Sequence, residues 1–183
     1  MEWAMFELAR NTECQEKLYQ EIKEVCGASK ASEDHLPRMP YLNAVFHELQ
    51  RKHPSVSILP TRYTHEDTQI GGYHISAGSQ IAINIYACNM DKKQWEDPEK
   101  WKPERFLNED FELMDIHRSM AFGAGKRACI GASQAAAILC TAMARFLQEF
   151  KWSISEDDAG DENTFAFTSH RLKPLEAILA PRT

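Results

Sequence analysis

Residues 122–131 read Phe122-Gly123-Ala124-Gly125-Lys126-Arg127-Ala128-Cys129-Ile130-Gly131, and the fold is decided by how this stretch is read. Its glycines allow a tight backbone turn that residues with a Cβ would resist. Residues 131–150 follow as a helix that is apolar nearly all round, from Ala132 through Leu139 and Met143 to Leu147, with only a narrow polar face. Such a helix is expected to be buried between layers. The turn thus sets Cys129 at a helix entrance, where free N–H groups and the helix dipole favour an anionic sulfur. Arg127 adds positive charge two residues earlier. Two other readings stay open for these ten residues taken alone. One is a glycine turn closed by a buried core cysteine. The other is a phosphate cradle before a helix, although the third glycine and a clear preceding strand are missing.

Working outward, the first fifty residues are helical in pattern. Residues 3–9 read as the tail of one helix, and Thr12 with Gln15 as a capping box that opens a second, running to about Val25. Residues 27–34 read as a surface loop. Pro40 suits the first turn of a third helix, where its missing N–H costs nothing. Leu42, Val45, Phe46 and Leu49 then form an i, i+3, i+4, i+7 stripe that Pro54 ends. From Tyr63 the period shortens. Gln69-Ile70-Gly71-Gly72-Tyr73-His74-Ile75 reads as strand, turn and strand, and residues 80–84 as a half-buried strand. Residues 91–119 carry little periodicity, and long irregular stretches in compact domains are usually functional or disordered. An acidic stretch spans residues 153–163, and two short strands are expected around Phe167 and Ile178.

Composition removes several functions. The 183 residues are 43% hydrophobic, enough for one substantial core. With 27 acidic and 21 basic residues the formal charge is −6, which argues against a phosphate-backbone partner such as nucleic acid. The cysteines Cys14, Cys26, Cys88, Cys129 and Cys140 are odd in number and irregularly spaced, a poor disulfide framework without the CxxC spacing of a zinc site. This favours a reducing, intracellular setting. Cys14 and Cys26 are expected on or near an exposed helix, Cys88 in a loop and Cys140 in the buried helix. The N-terminal residues lack the basic and apolar regions of a signal peptide, and the longest apolar run falls short of the ~20 residues that span a bilayer.

Cys129 in its turn has what a haem iron asks of a ligand, a thiolate shielded by backbone donors. Residues 122–131 match the cytochrome P-450 signature F-x-x-G-x-R-x-C-x-G at every specified position. Glu48-Leu49-Gln50-Arg51 matches the E-x-x-R of the same family, and Pro103-Glu104-Arg105-Phe106 its P-E-R-F element, all in the family's order. The chain therefore resembles the C-terminal part of a cytochrome P-450. This implies a mainly α fold with small β-sheets in which residues 1–183 form the haem-binding part, with the N-terminal part and membrane anchor absent.

The resemblance assigns roles that local pattern does not. Cys129 would be the axial thiolate and the haem-iron ligand, with Phe122, Gly123, Gly125, Arg127 and Gly131 forming its loop around the haem. Arg62, eleven residues after Arg51, and Arg127 match positions that meet haem propionates, as guanidinium–carboxylate pairing explains. For Arg62 an ordinary strand-edge charge is the equal alternative. Glu48 and Arg51, an i, i+3 pair off the apolar stripe, would by local pattern form a solvated ion pair worth little. The resemblance instead joins them to Arg105 in a buried structural triad. Val56, Ser57, Ile58, Leu59, Phe165, Ala166 and Phe167 would line the substrate side.

The implied cofactor is haem b (iron protoporphyrin IX), with molecular oxygen as co-substrate. Electrons would come from NADPH through the NADPH–cytochrome P-450 reductase as partner. Residues 2–9 resemble the end of the family's long oxygen-activating helix, whose acid–alcohol pair would precede Met1, so the 183-residue chain alone is expected to be inactive. Within the family, residues 62–74 and 82–95 are similar to plant ent-kaurene oxidases, which oxidise a ring-bound methyl of a diterpene to an acid in gibberellin synthesis. Ser76 replaces a usual proline, and Gln50 and Ser57 replace more apolar residues. The implied location is the cytosolic face of the endoplasmic reticulum or plastid outer envelope, with membrane attachment only through the absent anchor. Another terpenoid or lipid hydroxylase, or an inactive haem-binding fragment, remains as the alternative.

Overall fold

The computed structural model describes residues 1–107, 119–155, 163–165 (backbone only) and 168–182. Five α-helices carry the fold: α1 Glu2–Arg10, α2 Thr12–Cys26, α3 Pro40–Lys52, α4 Ile85–Asn89 and α5 Ala132–Glu149. Four two-stranded antiparallel sheets stand around them: β1 Arg62–Tyr63 with β4 Gln80–Ile81, β2 Thr68–Ile70 with β3 Tyr73–Ile75, β5 Phe150–Ile154 with β8 Ala177–Pro181, and β6 Asn163–Phe165 with β7 Ser169–Arg171. The expected mainly α architecture with small sheets is what the chain adopts. One core gathers Phe6 and Leu8 of α1, Leu18 and Ile22 of α2, the Leu42–Val45–Phe46–Leu49 stripe of α3, Met143 and Leu147 of α5, and Trp152 of β5.

Helix α3 starts on Pro40 and stops at His53 before Pro54, as its pattern predicts. Its N-cap, Met39, offers no side-chain acceptor. Glu21 of α2 supplies one from outside, taking the N–H groups of Tyr41 at 2.7 Å and Leu42 at 2.8 Å. A cap of this kind is worth about 1 kcal/mol. The β2–β3 hairpin turns on Gly71 and Gly72, both at positive φ (59° and 85°), where side chains with a Cβ are strained.

Several expectations fail for physical reasons. Thr12 is the first residue of α2, not its cap; Asn11 is the N-cap and no side chain caps it. Gln15 is instead buried. Its amide donates to the carbonyls of Leu8 and Trp152 and accepts from Trp152 N–H, closing the α1–α2 corner onto β5. The loop expected at residues 27–34 buries Ala31 and enters a 3-10 helix at Glu33–Arg38, capped reciprocally by Ser32 and His35. The strand expected at 80–84 pairs only at Gln80–Ile81, with an isolated bridge between Asn84 and Ile58; Ala82 and Ile83 are exposed. Cys88 sits in α4 and is exposed, and Cys26 is buried. Helix α5 is not covered on all sides. Ala132, Cys140, Met143, Ala144 and Leu147 are buried, whereas Ile138 is 62% exposed and Phe146 is also open to solvent. It packs against α2, α3, β5 and the 3-10 helix Glu33–Arg38. Phe150, expected in the helix, begins β5, and the strand expected around Ile178 is β8. The strand expected around Phe167 falls outside the described residues, as does most of the acidic stretch.

Helices α1 and α3 are tied by charge as well as by packing. Glu7 is buried and meets Lys52 at 2.9 Å and His53 at 2.7 Å. Burial works to raise its pKa, but the His53 hydrogen bond and the Lys52 charge outweigh it and hold the carboxyl below its ordinary value. A carboxyl depressed in the folded state stabilises the fold above its unfolded pKa, and that stability is lost as pH falls through the lower, folded value. We expect Glu7→Gln to flatten the acid limb of a urea-unfolding series taken from pH 7 downward. An acid limb unchanged by the substitution would show that the Glu7 tie contributes nothing.

Candidate haem-thiolate site

The Cys129 loop is built on two glycines. Gly123 and Gly125 both take φ 69°, and Met120 before them takes φ 53°. Gly123 N–H donates to Met120 C=O at 2.8 Å, and Cys129 N–H to Phe122 C=O at 2.8 Å, so the backbone closes on itself. A 3-10 turn at Gly125–Arg127 leads to Cys129, two residues before Gly131, the N-cap of α5. Cys129 thus stands just ahead of the helix entrance. The loop is anchored inward by Phe122, whose ring stacks on Phe46 of α3 at 6.4 Å and 19°. That contact was not visible in local pattern.

The Cys129 thiol is exposed, and Ile130 beside it is fully so at 105%. The buried cysteines differ in kind: burial pushes the Cys140 thiol up to about 12 and raises Cys26 as well, so both remain protonated packing groups. Arg127 in the loop and Arg62 in β1 are exposed, and neither has a side-chain partner among the described residues. Two guanidiniums are therefore available to an anion.

Turn residues 55–59 reach the same loop. A Cβ at Gly123 would sit 3.7 Å from Leu59 Cδ1, ordinary van der Waals contact. Leu59 N–H donates to Ile83 C=O at 3.0 Å, Tyr86 N–H to Ser57 C=O at 3.2 Å, and Ser169 N–H to Ser55 C=O at 2.8 Å. Val56, Ser57 and Leu59 are half-buried and Ile58 is exposed. Ala166 and Phe167 lie outside the described residues, and so does the side chain of Phe165; the β6–β7 backbone on either side of them abuts the turn through Ser169.

Glu48, Arg51 and Arg105 come together in a second cluster. The Glu48 and Arg51 side chains are 0% exposed. Arg51 Nε meets Glu48 Oε2 at 2.8 Å and Nη2 meets Oε1 at 2.9 Å, a two-pronged pairing. Its remaining donors go to the carbonyls of Asn89 (2.9 Å) and Pro98 (2.8 Å). Arg105 Nε reaches Glu48 Oε2 at 3.1 Å, and Lys102 N–H reaches Oε1 at 2.9 Å. Arg105 donates further to Glu96 C=O at 2.9 Å. One carboxylate and two guanidiniums thereby bond backbone groups of Asn89, Glu96, Pro98 and Lys102, in a stretch whose own backbone bonds are confined to isolated turns and one 3-10 helix. The pair is thus not the solvated one that its spacing suggests.

What such a site could hold follows from its donors. Among the described residues no group of three or more His, Cys, Asp or Glu could hold a metal ion. A single open thiol cannot retain a bare ion, but it can serve as one axial donor to an iron held by a macrocycle. Two unpartnered guanidiniums suit the carboxylates of such a group, and the exposed Ile130 suits its apolar face. These residues fit a haem.

The comparisons agree. The cytochrome P450 family model matches residues 1–176. The chain belongs to the cytochrome P450 family. It is 52% identical over 181 residues to ent-kaurene oxidase 2 of Oryza sativa subsp. japonica, covering 99% of this chain and 36% of that protein. Ent-sandaracopimaradiene 3-hydroxylase of the same rice is 54% identical with the same coverage. Ent-kaurene oxidase of Salvia miltiorrhiza is 48% identical over 99% of this chain and 35% of its own length. A zebrafish cytochrome P450 structure with abiraterone superposes with a TM-score of 0.88 at 28% identity, over 100% of this chain and 44% of that one. The chain thus spans about a third of the length of these curated P450 relatives. Among the described residues, no helix is long and apolar enough to cross a membrane.

Proposed function

We propose that this chain is the haem-binding C-terminal part of a haem-thiolate monooxygenase that oxidises a diterpene hydrocarbon such as ent-kaurene to its acid, a step of gibberellin synthesis. The observation that carries the reading is Cys129, exposed on a self-closed glycine turn in a chain about 50% identical to ent-kaurene oxidases. When bound, haem b would supply the oxygen chemistry, drawing on O2 and on electrons from NADPH through a reductase. The protein's own residues do the rest. Cys129 presents the thiolate, and the Phe122 carbonyl fixes its backbone. Arg127 and Arg62 would neutralise the carboxylates of the group. Gly123 and Gly125, at positive φ, let the loop turn tightly toward Cys129, with Gly131 at its end. Glu48, Arg51 and Arg105 hold the segment of residues 89–105 together. Val56, Ser57, Ile58 and Leu59 would line the substrate side and keep water away, a role the resemblance extends to Phe165, Ala166 and Phe167. The proposed setting is the cytosolic face of the endoplasmic reticulum or plastid outer envelope.

A second substrate is favoured by the 54% identity to ent-sandaracopimaradiene 3-hydroxylase. An apolar pocket discriminates weakly, about 10–200-fold per methylene, so neighbouring diterpenes compete. A full-length enzyme carrying this chain, supplied with reductase, NADPH and a diterpene panel, is expected to convert ent-kaurene to its acid. No acid product, with clear turnover of ent-sandaracopimaradiene, would leave the monooxygenase and move the substrate.

A further inference from the structure

His53 sits where α3 ends and the turn at residues 55–59 begins, and it is held from two directions by α1. Its Nε2 is 2.7 Å from Glu7 Oε1, and its ring stacks on the Trp3 indole at 4.1 Å and 10°. Trp3 and Glu7 are one helical turn apart and therefore share a face of α1. The His53 backbone has left the helix, at φ −125° and ψ 64°, while its N–H still donates to Leu49 C=O at 2.8 Å. Pro54, buried and fixed in φ, passes that orientation on to Ser55. The middle and far side of the turn, Ser57 and Leu59, are tied to Tyr86 and Ile83 by backbone bonds, and Leu59 Cδ1 lies 3.7 Å from where a Cβ on Gly123 of the Cys129 loop would stand. On the near side, Ser55 C=O accepts from Ser169 N–H, and His53 is the side-chain clamp beside that bond.

We propose that His53 is a positioning residue for the turn at residues 55–59, fixing through Glu7 and Trp3 where Val56 and Leu59 stand relative to the Cys129 loop. The inference rests on the reading that this turn faces substrate. Glu7 is the charged group opposite the imidazole, Lys52 shares that carboxylate, and the Asn11 amide approaches its other oxygen at 3.4 Å. With Glu7 held by two further partners, loss of the imidazole leaves the carboxylate satisfied and releases the turn alone. A misplacement of about 1 Å remote from the reacting atoms can cost on the order of a hundredfold in rate.

Two readouts test this. In the 183-residue chain, His53→Ala should speed amide exchange at Leu59 and Ser169 by about tenfold, the scale of losing about 1.4 kcal/mol of local protection, while Gly78 N–H, bonded to Thr64 C=O in the distant hairpin loop, stays unchanged. In a full-length enzyme carrying this chain, His53→Ala should keep the reduced-carbonyl band and haem content. KM should rise by about tenfold and the product distribution should spread. His53→Gln, whose amide can still donate to Glu7, should recover part of the loss. Where His53→Ala fails to fold, Glu7→Gln weakens the same clamp and is read in the same way. Unchanged exchange and unchanged products in these variants would overturn the proposal. Leu59→Ala separates the two ideas: if it alters products while His53→Ala does not, only the clamp fails. If Leu59→Ala leaves products untouched, the substrate-facing reading fails.

Discussion

Arg51→Ala is expected to destabilise the fold by about 3–5 kcal/mol and to abolish haem incorporation, because it strands a buried carboxylate. Glu48 is 0% exposed and gives both oxygens to Arg51, so the substitution removes two charge-assisted bonds at once. It also leaves the carbonyls of Asn89 and Pro98 without their donor. Arg105 and Lys102 N–H remain on the carboxylate, but each already bonds one oxygen and neither reaches the vacated space. The segment carrying Trp95 and Phe106 would loosen with them, since Arg51 lies 5.4 Å over the Trp95 ring and Phe106 packs on that ring at 5.7 Å. Arg51→Lys should rescue little, because an ammonium cannot reproduce the planar two-pronged pairing. Glu48→Ala should fail equally, by leaving Arg51 charged and buried. Urea midpoints and haem-to-protein ratios of the three variants check this. Normal stability and haem content in Glu48→Ala and Arg51→Ala would return the pair to the solvated surface pair of its spacing.

That pair also shows what a sequence can and cannot disclose. The spacing of Glu48 and Arg51 is local, but their burial depends on Lys102 and Arg105, more than fifty residues onward, and on carbonyls of an aperiodic stretch. No helical pattern contains that information. Helix α3 itself was legible from Pro40 to the residue before Pro54, because a helix start, a stripe and a breaker act on neighbours along one chain segment. Gln15 was misread for the opposite reason. Its position suited a local cap, yet its amide is spent on Trp152, 137 residues away. The apolar circumference of α5 predicted cover on every side, whereas its neighbours α2, α3, β5 and the 3-10 helix Glu33–Arg38 leave Ile138 open. Apolar content states what a helix could bury, not what surrounds it. The Cys129 loop was the most legible part of the site, since turn, glycines and thiol lie within ten consecutive residues. Its anchor on Phe46 and the approach of Leu59 to Gly123 were not, being meetings of distant segments.

Cys129→Ala is expected to remove the thiolate signature completely while leaving the fold intact. The side chain is exposed, and the bond that closes the loop comes from the Cys129 backbone, which alanine retains. Gly123 and Gly125 keep their turn, and Phe122 keeps its stack on Phe46. What disappears is the thiol of the loop, and none of the other cysteines can replace it: Cys140 and Cys26 are buried with raised pKa values, Cys14 packs against the core from α2, and Cys88 lies in α4. Helicity by circular dichroism should therefore match the wild type, so that a lost signal reports the ligand and not unfolding. The deciding measurement is the Soret band of the reduced carbonyl complex, recorded for a full-length enzyme carrying this chain and for its Cys129→Ala variant. The account predicts the red-shifted thiolate band in the first and its absence in the second at equal helicity; a red-shifted band that survives the substitution would contradict it.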